Sequence, residues 1–339
     1  MTERADQVLE AVGLTVDYQS SDGAYAAVRG IDLTLGAGEI LGLVGESGSG
    51  KSSLALGVAG LLPPGGRIGA QRLSVAGRPV PLSGDRKARA ARRRLLGRDI
   101  GVVFQDPTAS LDPTMTIGRQ IAEPLRVHRN MSRSDLQARV QALLARTGLT
   151  SIPRVADRYP HQLSGGQRQR VMIAIGIACD PKILIADEPT TALDVTVQAE
   201  ILDLFSSLRE DLGIAIVFVS HDLAVVGDLA DRVAVMYAGR IVEIGPVDAV
   251  LGDAMHPYPV ALLSCAPQLG RGRGPLAMIE GAANDSSLND LGCAYAPRCP
   301  RSTQQCRDVR PDLQGDDRHA VACFHPVGGG PDQREGDRR

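Results

Sequence analysis

The fold of this chain is decided by one glycine-rich stretch, Gly45-Glu46-Ser47-Gly48-Ser49-Gly50-Lys51-Ser52. The almost wholly apolar segment from Glu39 to Val44 precedes it and is typical of a buried strand, whereas Ser52 to Leu62 has the pattern of a helix. Glycines let a loop curl so that its N–H groups converge on phosphate oxygens, and the start of a helix adds a positive dipole end. A strand, this loop and a helix in that order predict a phosphate-binding loop rather than a glycine-rich turn without a ligand.

Two residues at the end of this loop have distinct predicted roles. Lys51 neutralises charge on the β- and γ-phosphates of a nucleotide, and the Ser52 hydroxyl is a ligand for Mg²⁺. Further nucleotide contacts are expected from the rest of the loop and the first helical turn: Gly45, Glu46, Ser47, Gly48, Ser49, Gly50 and Ser53. The motif alone indicates a nucleotide hydrolase of the P-loop class without saying which kind.

Two adjacent carboxylates, Asp187 and Glu188, follow a second apolar segment that begins at Ile183. Asp187 suits Mg²⁺, directly or through water, because this cation prefers oxygen ligands. Glu188 can instead face the γ-phosphate and accept a proton from the attacking water. An ordinary acidic strand end is the alternative, and the phosphate-binding loop upstream argues against it.

Between these two motifs, Leu163 to Gln167 predicts a second anion site. The segment has the pattern of a loop that enters a helix, with Ser164 as N-cap and two glycines that leave N–H groups bare. A chain with one phosphate-binding loop needs no second phosphate site for its own nucleotide. We therefore expect this segment to complete the site of a partner subunit.

Leu163-Ser164-Gly165-Gly166-Gln167 resembles the signature motif of ABC ATPases, and the other elements of that family follow in order over about residues 8 to 250. The matching positions are Gln105 for the Q-loop glutamine, Asp194 for the D-loop aspartate, His221 for the switch histidine and Tyr18, or alternatively Tyr25, for the aromatic ring that stacks on adenine. The resemblance implies a head-to-tail dimer in which ATP and Mg²⁺ lie between one chain's loop and the partner's Ser164, Gly165, Gly166, Gln167 and Asp194. It also implies catalytic roles for Glu188, His221, Gln105 and Lys51, and Mg²⁺ contacts for Ser52, Gln105 and Asp187.

A finer resemblance links the chain to the ATPases of dipeptide and oligopeptide importers, in particular to their D-type subunit. It is carried by Phe104-Gln105-Asp106-Pro107, by Pro160 to Arg170, by Ala186 to Gln198 and by His256-Pro257-Tyr258. This resemblance implies a second ATPase subunit, most simply as a heterodimer, two permease subunits and an extracytoplasmic solute-binding protein, with the chain held at the cytoplasmic face of the inner membrane. Nickel, glutathione or sugar importers, a soluble non-transport ABC ATPase and a non-catalytic partner subunit are the alternatives.

Four cysteines, Cys293, Cys299, Cys306 and Cys323, stand late in the chain. The segment Gly292 to Pro300 resembles the C-terminal extension of peptide importer ATPases, which in some members carries a [4Fe–4S] cluster. Four neighbouring thiols in a reducing compartment favour a metal site over disulfides. Empty thiols, zinc and disulfides remain alternatives, and His325 is a conceivable replacement ligand.

The predicted organisation combines one large domain and a small extension. The fold class is α/β: a P-loop NTPase with a RecA-like core, an N-terminal antiparallel β subdomain, a helical signature subdomain and a small loop-rich extension that contains the cysteines. We expect the nucleotide-binding domain at residues 1–255, with the helical subdomain at about 106–178, the extension at 256–327 and a disordered tail at 328–339.

Composition narrows the possible partners of the 339-residue chain. Its formal net charge is −2, aromatic residues make up 3% and Trp is absent, which argues against nucleic acid. No run of about 18 apolar residues is present to span a bilayer. The basic segment from Arg86 to Arg98 is interpreted as a solvated face or as a contact with the permease or with lipid headgroups.

Overall fold

The computed structural model describes residues 7–20, 23–191, 193–265, 291–316 and 319–328. In chain order the strands are β1 (Gln7–Ser20), β2 (Gly23–Gly36), β3 (Ile40–Val44), β4 (Gly66–Gly69), β5 (Arg72–Val75), β6 (Arg78–Pro79), β7 (Ile100–Val103), β8 (Ile183–Asp187), β9 (Ala215–Ser220), β10 (Arg232–Tyr237), β11 (Arg240–Pro246), β12 (Gln314–Gly315) and β13 (Ala320–Val321). The α-helices are α1 (Lys51–Ala59), α2 (Arg86–Leu95), α3 (Pro107–Ser110), α4 (Ile117–His128), α5 (Arg133–Arg146), α6 (Gly165–Gly176), α7 (Val195–Leu212), α8 (Leu223–Leu229), α9 (Val247–Gly252), α10 (Pro257–Cys265) and α11 (Gln304–Asp308).

The N-terminal strands form an antiparallel sheet in the order β2-β1-β5-β6, with β4 also paired to β1. The alternating apolar residues of β1, including Leu9, Leu14 and Val16, are buried in one hydrophobic cluster with Leu41 of β3 and Leu54 of α1. This agrees with the predicted N-terminal antiparallel β subdomain. The first half of β2 pairs with the end of β1.

The second sheet has the order β12-β13-β11-β10-β3-β9-β8-β7. Its pairs from β10 through β3, β9 and β8 to β7 are parallel. β3, β8 and β9 are buried along their whole length, as strands covered on both faces must be. The carboxyl ends of these parallel strands meet at one edge, where ligands bind in open α/β sheets. That edge holds the glycine-rich loop after β3 and the two carboxylates at the end of β8.

A group of helices lies between β7 and β8, in the part of the chain where the sequence predicts a helical subdomain. α4, α5 and α6 pack together through apolar side chains such as Ile121, Leu144 and Val171. α5 begins after Ser132, whose hydroxyl caps the helix by accepting a hydrogen bond from the Asp135 N–H.

The basic segment forms helix α2, and of its residues Ala88 is the buried one. Asp85 caps the helix, since its Oδ1 accepts a hydrogen bond from the Ala88 N–H over 2.7 Å. The hydrogen bonds from that N–H and from Ser83 lower the pKa of the Asp85 carboxyl. Arg86, Arg89, Arg93, Arg94 and Arg98 are exposed and Arg92 is half-buried, which suits both a solvated face and a contact with the permease or with lipid headgroups.

The C-terminal segment packs directly on the core. β13 pairs with β11, so two short strands extend the large sheet rather than forming a separate unit. The rings of Tyr237, Tyr258 and Tyr295 contact one another edge-on or tilted, with centroids 4.7 to 5.4 Å apart. Residues 266–290 of the predicted extension and residues 329–339 of the predicted tail lie outside the described residues.

Candidate active site

The loop from Gly45 to Ser52 joins β3 to α1 in a conformation that only glycine allows at two points. Gly45 has a φ of 151° and Gly50 a φ of 101°, and a Cβ atom would lie 2.3 Å from the carbonyl oxygen of Met236 at the first and of Ala27 at the second. Gly50 is also the N-cap of α1 and offers no side-chain acceptor. The first N–H groups of α1 therefore have no side-chain partner at the helix cap and suit an anion.

Lys51 curls back over this loop. Its Nζ donates to the carbonyl oxygens of Gly45, over 2.7 Å, and of Glu46, over 2.9 Å. Burial lowers the pKa of the Lys51 ammonium, while the nearby carboxylates of Glu188, Asp187 and Glu46 act in the opposite direction. Lys51 thus provides a buried positive charge next to the glycine-rich loop.

A cavity of about 540 Å³ opens beside the loop. Its lining combines the loop and the start of α1 with residues of β2 and residues that follow β7, β8 and β9: Tyr25, Ala27, Ser47, Gly48, Gly50, Lys51, Ser52, Ser53, Gln105, Glu188 and His221. Six residues of the loop and the first helical turn that were predicted to contact the nucleotide line this cavity, and so do all four predicted catalytic residues.

Ser52, which lines this cavity, contacts Asp187 at the end of β8. The Ser52 hydroxyl donates to Oδ1 of Asp187 over 2.9 Å. Burial raises the pKa of the Asp187 carboxyl, although the hydrogen bond from Ser52 opposes this effect. A hydroxyl and a buried carboxylate are hard oxygen donors, so these residues fit Mg²⁺.

Glu188 is the centre of a hydrogen-bond network. Its Oε2 accepts from Nε2 of Gln105 over 3.1 Å and from the Thr191 hydroxyl over 3.0 Å, and it lies 3.2 Å from Nδ1 of His221. Thr191 was not among the predicted site residues. Its spacing of three from the glutamate was the available signal, because a tight turn after a strand brings such positions together.

Tyr18 and the Glu46 carboxylate are two of the predicted nucleotide contacts that do not line the cavity. The Tyr18 ring is half-buried and its hydroxyl donates to Ser53 Oγ over 3.2 Å, whereas its register partner Tyr25 lines the cavity with 48% of its surface exposed. The alternative aromatic residue is thus the better-placed one. The Glu46 carboxylate also turns away from the cavity lining and contacts Arg298 instead.

The signature segment lies away from its own chain's cavity. Ser164 and Gln167 form a capping box at the start of α6, in which the Gln167 N–H donates to Ser164 Oγ and the Ser164 N–H to Gln167 Oε1. Gly166 is needed for packing, since a Cβ there would lie 2.5 Å from a methyl group of Val197. Gly165, Gly166 and Asp194, like the capping pair, do not line the described cavity.

Comparison with known proteins decides the family. A family model described as "ABC transporter" matches residues 28–191, and one described as "Oligopeptide/dipeptide transporter, C-terminal region" matches residues 242–306. A protein of Brucella abortus (strain 2308), named as a peptide import ATP-binding protein, is 44% identical over 319 residues, which cover 93% of this chain and 94% of the relative. The chain belongs to the ABC transporter family of ATP-binding proteins.

Further relatives and solved structures agree with this assignment of the ABC ATPase. The dipeptide transport ATP-binding protein DppD of Haemophilus influenzae is 41% identical over 320 residues, covering 94% of this chain and 96% of the relative. Among solved structures, cbiO1 of Clostridium perfringens, part of the ABC transporter complex cbiONQ, has a TM-score of 0.60 and 33% identity over 73% of this chain and 92% of its own. The ABC transporter cassette MJ0796, solved as a dimer, has a TM-score of 0.61 and 28% identity, covering 70% and 98%.

The four late cysteines of this ABC ATPase line one small cavity together with His256 and His325. None of them is in a disulfide within the described structure. Burial raises the pKa of the Cys323 thiol to about 11, and it also raises the pKa of Cys293 and Cys299. In the described ranges, no three His, Cys, Asp or Glu side chains are arranged so as to hold a metal ion. The structure therefore does not support the expected iron–sulfur cluster.

No helix in the described part of this ABC ATPase is both long enough and apolar enough to cross a membrane.

Proposed function

We propose that this ABC ATPase hydrolyses ATP in the cavity beside Lys51 and uses the energy to drive uptake of dipeptides or oligopeptides through permease subunits. The observation that carries the proposal is that Gln105 and His221 both contact Oε2 of Glu188, next to the phosphate-binding loop. The peptide substrate is supported by the printed names of the relatives and by the C-terminal family model. Nickel, glutathione and sugars remain the alternative solutes.

Each side chain has one part in the proposed reaction. The N–H groups of the loop and Lys51 bind the phosphates, and the Tyr25 ring stacks on adenine. Ser52 and Asp187, with Gln105 nearby, would hold Mg²⁺, which neutralises charge on the β- and γ-phosphate oxygens. Glu188 orients the attacking water and accepts its proton.

His221 lies against the same carboxylate and lines the cavity, where the γ-phosphate would be placed. It would fix the position of the carboxylate relative to the γ-phosphate, while the Thr191 hydroxyl donates to the same carboxylate oxygen. The reaction products are ADP and phosphate.

We propose that the second half of the site comes from another ATPase subunit. Ser164 to Gln167 and Asp194 do not line their own cavity, and Ser164 and Asp194 are exposed. Both segments are therefore accessible to a second subunit. In the complete system the pair of ATPases, most simply a heterodimer, would lie under two permeases at the cytoplasmic face of the membrane, supplied by an external solute-binding protein.

The isosteric variant Glu188→Gln tests the proposed base. It keeps the shape and most hydrogen bonds of the side chain but cannot accept a proton, so we expect ATP binding within about twofold of wild type and turnover reduced at least about 100-fold. The assay is phosphate release by the assembled transporter, with Glu10→Gln on the antiparallel sheet as the matched control. Normal turnover in Glu188→Gln would remove Glu188 from this role.

The solute is tested on the transporter in liposomes. Dipeptides presented with the solute-binding protein should stimulate ATP turnover and accumulate inside the vesicles. Stimulation by nickel, glutathione or a sugar, with no response to peptides, would replace the peptide assignment while leaving the ATPase assignment unchanged.

We propose separately that the four late thiols hold a [4Fe–4S] cluster with a structural role. The support is the chemistry of the donor set, four thiols around one cavity, against which stands the absence of a metal-ligand arrangement in the described residues. Iron and sulfide analysis of anaerobically purified protein tests it. Protein without iron and without absorbance near 400 nm would leave plain thiols.

A further inference from the structure

The C-terminal extension reaches the phosphate-binding loop through one ion pair. Nη1 of Arg298 donates to Oε2 of Glu46 over 2.7 Å, and Nη2 donates to Oε1 over 3.0 Å, between residues 252 positions apart. The Arg298 side chain is 7% exposed and that of Glu46 is 26% exposed. Two parallel, largely desolvated hydrogen bonds make this contact far stronger and more directional than a surface ion pair.

The guanidinium group of Arg298 is itself held in place. It lies over the rings of Tyr237 and Tyr295, at 5.8 and 6.0 Å from their centroids, and Nη1 also donates to the Tyr237 hydroxyl over 3.2 Å. These contacts come from the core strand β10 and from the extension. Arg298 is therefore a fixed point rather than a mobile surface side chain.

The Glu46 backbone is anchored from both sides as well. Its N–H donates to the Tyr258 hydroxyl over 2.8 Å, and its carbonyl oxygen accepts from Lys51 Nζ over 2.9 Å. Residues of the C-terminal region thus hold both the side chain and the N–H of a loop residue whose carbonyl oxygen contacts the phosphate-binding lysine.

The negative charge of Glu46 would oppose phosphate binding if its carboxylate faced the loop's ligand. A loop that binds phosphates has little tolerance for a carboxylate, because like charges repel strongly where solvent is partly excluded. The Glu46 carboxylate does not line the described cavity, and its pair with Arg298 both cancels its charge and turns it away from the phosphates.

We propose that Arg298 is a positioning residue for ATP: it neutralises Glu46 and fixes the phosphate-binding loop, which makes the C-terminal extension a functional part of the nucleotide site. The proposal rests on the proposed use of this loop to bind ATP phosphates.

Arg298→Gln in the full-length chain tests the proposal. We expect its Kd for ATP to rise roughly tenfold, the effect of losing hydrogen bonds between charged groups. Binding of adenosine, which carries no phosphate, should change by less than about twofold. In the assembled transporter, KM for ATP should rise while kcat stays near the wild-type value. Competition against a fluorescent ATP analogue measures both affinities.

Two further variants separate charge from packing. The double variant Arg298→Gln/Glu46→Gln removes both charges, so its ATP affinity should return to within about threefold of wild type. Arg72→Gln is the matched control, because Arg72 pairs with Glu10 over 2.7 Å on the antiparallel sheet with 60% of its side chain exposed. If Arg298→Gln fails to fold, Arg298→Lys keeps the charge, loses the paired geometry and should weaken ATP binding to an intermediate degree.

The proposal would be overturned if folded Arg298→Gln, or Arg298→Lys where it is used instead, bound ATP as tightly as wild type. So would equal losses for ATP and adenosine, or a loss that persists undiminished in the double variant. Wild-type chain that binds no ATP would instead contradict the proposed function, so the two failures are distinguishable.

Discussion

The backbone of Glu188 has a φ of 46°, in the left-handed region where residues other than glycine are strained. Such strain costs on the order of 1–3 kcal/mol and persists only where surrounding contacts hold it. Here the Glu188 N–H donates to the carbonyl oxygen of Val219, and the side chain receives hydrogen bonds from Gln105 and Thr191. The strained turn directs the carboxylate at the end of β8 into the cavity.

At the residue scale, the choice between two tyrosines can be tested directly. Tyr25→Leu removes the exposed ring beside the cavity, so we expect the Kd for ATP to rise about tenfold through lost stacking on the base. Tyr18→Leu, made at its register partner, should change it by less than about threefold. Equilibrium titration of both full-length variants measures this, and the opposite ranking would restore Tyr18 as the stacking residue.

This pair also marks a limit of prediction from sequence. The family resemblance offers both Tyr18 and Tyr25 as the stacking aromatic residue, but the sequence does not show which of two paired strands lies beside the loop. That depends on a hairpin whose register shifts at several points. The roles of Lys51 and Ser52 were easier to predict, because they follow from positions within one short local motif.

At the element scale, the junction between β11 and the C-terminal region is built around a buried carboxylate. Glu243 is 0% exposed, and it accepts hydrogen bonds from the N–H groups of Met255 and His256 and lies 2.7 Å from Nε2 of His319. His256 is buried too, and its Nδ1 accepts a hydrogen bond from the Tyr258 N–H. Three segments of the chain thus depend on one polar cluster.

This cluster predicts acid sensitivity. Burial lowers the pKa of His256 to about 3, whereas an unfolded histidine titrates near 6.5. The unfolded state therefore binds more protons as the pH falls below 6.5, and the folded protein should lose about 2 kcal/mol of stability from this group between pH 7 and pH 5.

Urea unfolding at both pH values measures this loss. In His256→Asn, whose amide oxygen can still accept from the Tyr258 N–H, the drop between pH 7 and pH 5 should be smaller by the same amount. An equal drop in wild type and variant would contradict the burial argument.

The strand order of the central sheet was only partly predictable at this scale. Apolar runs ending in glycine or carboxylates located β3 and β8, and the family resemblance placed Gln105 and His221 beside them. The contact between Arg298 and Glu46 could not be predicted, because no periodicity or spacing links residues 252 positions apart. It depends on the packing of Tyr237, Tyr258 and Tyr295 against one another, which the sequence pattern does not reveal.

At the scale of the whole molecule, two hydrophobic clusters support one cavity. One contains the antiparallel strands and α1, and the other contains the helices between β7 and β8. The cavity lies at the carboxyl edge of the sheet they share, with the signature segment directed elsewhere. A nucleotide bound there would be covered by protein on one side, which leaves the other side for a second subunit.

Ser164→Arg tests this shared site most directly. We expect the isolated full-length variant to bind ATP as wild type does, because Ser164 does not line its own cavity. The complete transporter that contains the variant should lose at least about tenfold in turnover, because the arginine would enter the partner's site. Wild-type turnover in the assembled complex, or loss of ATP binding by the isolated chain, would contradict a site shared between two subunits.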